Sequence, residues 1–194
     1  MIVNLIKLIT RVLFRILYFA KVEGLEKIPK NGKLIITANH LSNADPPFIG
    51  AFAGKKRPVK FLAKKELFKT KLSSFIMEGL GCVPIDRGKG DLTALRTITK
   101  ILKDDKCVIL FPEGTRSKTG RVGEPKSGVG FITYQTKAPV LCARIFKTDK
   151  FPWMFGAKLK FGKMIEFDEN NFKGKDKYQQ FSLLIMKEIN SIKQ

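Results

Sequence analysis

Five consecutive residues, Cys107-Val108-Ile109-Leu110-Phe111, are apolar with no polar residue interleaved. A strand with one wet face alternates apolar and polar side chains, so an unbroken run reads as a strand covered on both faces. It empties directly into Pro112-Glu113-Gly114-Thr115-Arg116-Ser117. Largely apolar runs at Lys33 to Ala38, Val59 to Ala63, Gly81 to Ile85 and Val140 to Ile145 read as further strands. Between them lie segments of helical spacing: Pro46 to Phe52, Lys64 to Leu80, a stretch from Asp91 lined by Leu92, Leu95, Ile98 and Leu102, and Gly128 to Thr136. Val22 to Pro29 reads as a turn, Phe151 to Phe167 as β structure and Tyr178 to Ile192 as a closing amphipathic helix. This alternation predicts an α/β fold with a mostly parallel central sheet flanked by helices. At 194 residues the chain suits one domain with a proper core.

The amino terminus stands apart. Residues 1–20 are mostly apolar, but Asn4, Lys7, Arg11 and Arg15 recur at steps of three and four, one narrow polar stripe on a helix. Such a helix, about 30 Å long, would reach across a bilayer core, yet its mid-segment cations are costly in hydrocarbon. They also interrupt the apolar region, where those of a signal peptide precede it. Two arrangements fit: a core helix with one wet edge, and a helix lying flat with its stripe in the headgroups and its wide apolar face sunk. The chain therefore divides into an N-terminal amphipathic, membrane-associating helix, residues 1–21, and a domain over residues 22–194.

A formal charge of +20, from 37 Lys and Arg against 17 Asp and Glu, calls for an anionic partner: nucleic acid, an anionic membrane or a phosphorylated substrate. No nucleic-acid recognition motif or aromatic-basic stacking pattern accompanies it, so no nucleic-acid partner is expected. Cys82, Cys107 and Cys142, each within an apolar run, read as buried reduced thiols. With a single histidine and scattered cysteines, no metal-ligand spacing is present and no metal is expected.

That histidine, His40, follows the apolar run ending at Ala38 and precedes Asp45-Pro46-Pro47. Imidazole suits proton abstraction near neutral pH, and an aspartate five residues on can fold back to orient it. The same residues also fit a helix start, with the Asp45 carboxylate capping and Pro46 at the first helical position. In parallel sheets the reactive groups gather beyond the carboxyl ends of the strands. His40, Arg87, and Glu113 with Arg116 each sit at such an end, so stretches far apart in sequence converge on one crevice. There is no G-x-S-x-G nucleophile motif. The constellation suits direct attack of a substrate hydroxyl on an activated acyl group, with arginines to hold a phosphate. A His-Cys thioester hydrolase using Cys82 or Cys142 is the competing chemistry.

Asn39-His40 with Asp45, Gly81 to Arg87, Phe111-Pro112-Glu113-Gly114-Thr115-Arg116-Ser117 and Ala138-Pro139-Val140 resemble the four ordered blocks of the glycerolipid acyltransferase family, most closely its 1-acyl-glycerol-3-phosphate acyltransferase (PlsC-type) branch. The resemblance covers roughly Gly24 to Gly162. It implies that residues 22–194 form an acyltransferase domain moving a fatty acyl chain from acyl-CoA or acyl-carrier protein to the 2-hydroxyl of lysophosphatidic acid. His40 would be the general base and Asp45 its orienting partner. Glu113 and Gly114 would contact the glycerol backbone, Arg116 and Arg87 would hold the phosphate, Thr115 would belong to the substrate-binding set, and Lys64 would add a further cation. The acyl thioester would be a co-substrate, with no cofactor. The resemblance also implies work at an anionic membrane surface, peripheral or monotopic, on the cytoplasmic face of the cell membrane. It departs at Ala143, where the fourth block tends to end in a second proline, and at Met164, where a proline commonly follows the Phe161-Gly162-Lys163 turn. Both departures bear on which lysolipid is used, a lyso-ornithine lipid or larger lysophospholipid being the alternative acceptors.

Overall fold

The computed structural model describes residues 2–86, 91–117, 119–120, 122–150 and 152–194. Its centre is a parallel sheet of five strands: β2 (Leu34–Thr37), β3 (Val59–Lys64), β4 (Cys82–Ile85), β5 (Cys107–Leu110) and β6 (Val140–Phe146). Two further strands, β1 (Lys21–Glu23) and β7 (Lys158–Ile165), extend one edge, giving the order β1-β7-β6-β2-β5-β3-β4. Helices α2 (Asp45–Ala53), α3 (Lys71–Leu80), α4 (Asp91–Lys103) and α5 (Gly128–Thr136) make the crossovers that parallel pairing requires. Among the described residues no helix separates β6 from β7, and that pair is antiparallel. β1 runs parallel to β7, with Lys21 opposite Lys158.

The unbroken apolar runs are the most buried strands, as their composition dictates: every residue of β2 and β5 is buried. Their side chains point alternately to two cores. Leu34, Ile36 and Ile109 meet Phe48, Phe52 and Phe14 on one face; Ile35, Val108 and Leu110 meet the face formed by α4, α5 and α6 (Lys177–Ser191) on the other. The result is helix, sheet, helix in three layers.

Four expectations need revision. Lys64 to Leu80 is not one helix. A 3-10 turn (Lys65–Phe68) precedes α3, because Thr70 and Ser73 exchange side-chain and backbone hydrogen bonds in a capping box that starts the helix afresh. Gly81 ends α3 at φ +95, where an added Cβ would lie 2.2 Å from the Val59 carbonyl oxygen. Among the described residues between Phe151 and Phe167 only Lys158–Ile165 is strand, and the turn before it is tied by Gly156 N–H to the Tyr18 carbonyl at 2.8 Å. Within the stretch read as a turn from Val22, the residues to Glu23 instead add to the sheet edge as β1.

The largest revision concerns α1 (Ile2–Leu17). Its cationic stripe leans on the protein and its apolar face looks outward. Arg11 Nη1 donates to the Ala51 carbonyl at 3.1 Å, and the Arg15 guanidinium lies 5.6 Å from the Phe52 ring centre. Burial, with Lys60 and Arg11 nearby, pulls the Lys7 pKa down. Leu5, Leu8, Ile9, Val12, Leu13 and Ile16 are 43–65% exposed, and Phe14 packs into the core. This is the reverse of a core helix with one wet edge. The stripe that a flat-lying helix would keep in headgroups is divided: Lys7 and Arg11 are half-buried against the protein, while Asn4 and Arg15 are exposed.

Candidate active site

β2 delivers Asn39 and His40 between the ends of β6 and β5. The buried Asn39 amide continues the sheet as a side-chain rung, its Nδ2 donating to the Ile145 carbonyl at 3.0 Å and its Oδ1 accepting from Ile145 N–H at 2.8 Å. His40 is pinned from the β5 side: its backbone N–H donates to Glu113 Oε1 at 2.8 Å, and its carbonyl accepts from Ser117 N–H at 2.8 Å. The imidazole stacks on Phe111, ring centres 4.0 Å apart and 17° from parallel.

His40 Nδ1 lies 2.9 Å from Asp45 Oδ2. The same oxygen accepts the backbone N–H groups of Leu41 at 2.6 Å and Ser42 at 2.7 Å, and Oδ1 accepts the Thr148 hydroxyl at 2.5 Å. Backbone N–H groups can only donate, so Oδ2 has no place for a proton of its own and Nδ1 carries the shared one. In the neutral imidazole this tautomer puts the lone pair on Nε2, the form a general base requires. The dyad is nearly enclosed, with side-chain exposures of 16% for His40 and 0% for Asp45. Asp45 is the first residue of α2 but does not cap it: Ala44 holds the cap position and the carboxylate turns back to the preceding loop.

His40 lines a crevice of about 920 Å³. Asn43, Gly114, Thr115, Arg116 and Lys64 line it too, and its floor includes the apolar Phe61, Leu67, Met77 and Ile109. Arg116 and Lys64 are exposed and make no hydrogen bond or ion pair among the described residues. Arg87 lies outside the described residues, although Asp86 before it reaches the crevice.

Glu113 is held by backbone N–H groups on both carboxylate oxygens. It is 6% exposed and off the crevice lining, and its second oxygen accepts Gly123 N–H at 2.9 Å. The carboxylate ties the loop after β5 to the backbone of His40, bracing the base. Thr148, by contrast, had no sequence signal of its own beyond following β6 at the same end of the sheet as His40. The cysteine alternative is disfavoured: Cys82 and Cys142 are buried, and burial pushes both thiols up to about 12, away from the thiolate that a nucleophile needs.

The family model described as "Acyltransferase" matches residues 19–145. A chloroplastic 1-acyl-sn-glycerol-3-phosphate acyltransferase of Brassica napus is 30% identical over 136 residues, 69% of this chain and 39% of that protein. A 1-acyl-sn-glycerol-3-phosphate acyltransferase of Bacillus subtilis is 28% identical over 148 residues, 72% and 73% of the two chains. The crystal structure of PlsC, the 1-acyl-sn-glycerophosphate (LPA) acyltransferase of Thermotoga maritima, aligns with TM-score 0.72 at 26% identity, covering 98% of this chain and 80% of that one. The chain thus spans less than half the length of some relatives and most of others.

Proposed function

Because this chain belongs to the acyltransferase family, we propose that it moves a fatty acyl group from acyl-CoA or acyl-carrier protein to the 2-hydroxyl of 1-acyl-sn-glycerol 3-phosphate at a membrane surface. The relatives' activity supports the acceptor. The observation that carries the reading is the pairing, in one crevice, of the His40-Asp45 dyad with the unengaged cations Arg116 and Lys64.

The acceptor's phosphate sits against Arg116 and Lys64, and its 2-hydroxyl meets Nε2 of His40. As the hydroxyl oxygen attacks the thioester carbonyl, Nε2 takes its proton; the C–O bond forms, the C–S bond breaks, and the proton passes to the departing thiolate. No acyl-enzyme is needed. The Asp45 charge stabilises the transient imidazolium, and general-base help of this kind is worth about 10²–10⁴ in rate. The apolar floor gives the acyl chain a place to lie.

The outward apolar face of α1 supports a peripheral or monotopic seat on an anionic leaflet, where each nearby Lys or Arg adds about 1 kcal/mol. Among the described residues no helix is long and apolar enough to cross a membrane.

Purified protein given lysophosphatidic acid and a set of acyl thioesters should release phosphatidic acid, and His40→Ala should lower turnover by about 10²–10⁴. Glycerol 3-phosphate should compete with the acceptor. Unchanged turnover in the variant, or an acyl group trapped on the protein, would reject the mechanism; competition that fails would point to a phosphate-free acceptor.

A further inference from the structure

Trp153 and Phe155 are 72% and 57% exposed, their rings stacked 6.5 Å apart, on the turn between β6 and β7. Phe19, 65% exposed, follows α1. The Gly156 N–H bond to the Tyr18 carbonyl sets residues 155 and 19 one step either side of a direct backbone link, and buried Met154 lines a cavity of about 300 Å³ with Leu13, Leu17 and Tyr18. The three aromatic side chains therefore continue the apolar face of α1.

Phe19 has φ +47, and the Ala20 N–H reaches back to the Phe14 carbonyl at 3.1 Å. This is the helix-ending position usually given to glycine, unfavourable for a bulky side chain, and a Phe held there while facing water gains nothing from the core. The topology fixes where the corner lies. The turn leaves the carboxyl end of β6, and β1 and β7 both start from that end, since they pair parallel with each other and β7 runs against β6. The corner is thus at the catalytic end of the sheet, and the loop that carries Trp153 also carries Thr148, whose hydroxyl rests on Asp45. Lys147 and Lys150 flank the turn, both exposed, against one acidic neighbour, Asp149.

We propose that Phe19, Trp153 and Phe155 form a second membrane contact, an aromatic corner that enters the headgroup boundary of an anionic bilayer and seats the catalytic end of the sheet on it. Tryptophan favours that boundary, where its apolar ring and its polar N–H are both satisfied, and the two phenylalanines add apolar area beside it. A net charge of +20, the flanking lysines and continuity with the outward face of α1 select an anionic lipid surface over a protein partner. The inference rests on the reading that α1 lies on lipid, and adds which part of the catalytic domain joins it.

Trp153 is the only tryptophan in the chain, so it reports on itself. With the full chain and vesicles of phosphatidylglycerol and phosphatidylcholine, its emission should shift to the blue and be quenched by lipids brominated high on the acyl chain. Trp153→Ser combined with Phe155→Ser, both at exposed positions, should leave the melting temperature and the turnover of detergent-dispersed substrate unchanged. The same pair should lower vesicle partitioning about 10–100-fold. Protein that pellets with vesicles while Trp153 stays as accessible to acrylamide as in water overturns the aromatic corner and leaves the α1 seat standing. Protein that does not pellet overturns both. A blue shift that grows with protein concentration without lipid assigns the corner to self-association and overturns the proposal.

Discussion

At one end of the crevice, Asp45 accepts four hydrogen bonds and the His40 ring is stacked, braced and nearly enclosed; at the other, Arg116 and Lys64 stand exposed with no hydrogen bond or ion pair among the described residues. The difference separates two tasks. A base must sit within tenths of an ångström of the proton that it removes, so its geometry is settled before substrate arrives. A cation that grips a phosphate can be ordered by the phosphate itself, because the charge-assisted bond forms over a wider range of side-chain positions. The comparison makes a kinetic claim: damage at the first end lowers kcat, and damage at the second raises KM.

The largest effect should come from Asp45→Asn. The amide oxygen can still accept from Leu41, Ser42 and His40 Nδ1, with the amide nitrogen donating to Thr148, so the fold survives and only the charge is lost. Steady-state kinetics should show kcat lower by about 10²–10⁴ with KM for the acceptor little changed. A change confined to KM would break the division between the two ends.

Arg116→Ala comes next. Losing a charge-assisted contact of about 1.5–3 kcal/mol should raise KM for a phosphate-bearing acceptor about 10–100-fold at similar kcat. The melting temperature should not move, since the side chain holds nothing in the fold. Arg116→Lys should recover part of the loss. A drop in kcat as large as that of Asp45→Asn would show that the exposed end is as preorganised as the enclosed one.

Which of these residues could be read from sequence follows from what each touches. The strands were legible because burial on both faces leaves a local mark, as in Cys107–Leu110, and strand ends then drew His40 and Arg116 together. Glu113 was visible as a residue but not in its role, because its partners are backbone N–H groups of His40 and Gly123 that every residue but proline offers. The terminal helices make the same point. Helix α6 and α1 are amphipathic and of similar length, 15 and 16 residues, yet α6 turns Phe181, Ile185 and Ile189 into the core while α1 turns its apolar face out. Periodicity defines a face; what covers the face is decided by the neighbours, here Ala51 and Phe52 of α2, which take the cations of α1.

Thr148 is the sharpest case, and its variant tests the enclosed end with the smallest change. The residue is fully buried and reaches Asp45 across 103 positions of sequence. Thr148→Val keeps the shape and removes one donor from a carboxylate that water cannot reach, leaving three donors to hold it. The ring should remain in place but less tightly, lowering kcat roughly tenfold, the kinetic equivalent of about 1.4 kcal/mol, with KM unchanged. Thr148→Ser restores the hydroxyl without the methyl and should recover most of the rate, which a purely packing role would not allow. If Val and Ser variants are equally slow, the hydroxyl is not a positioning group, and the enclosed end owes its order to backbone N–H donors alone.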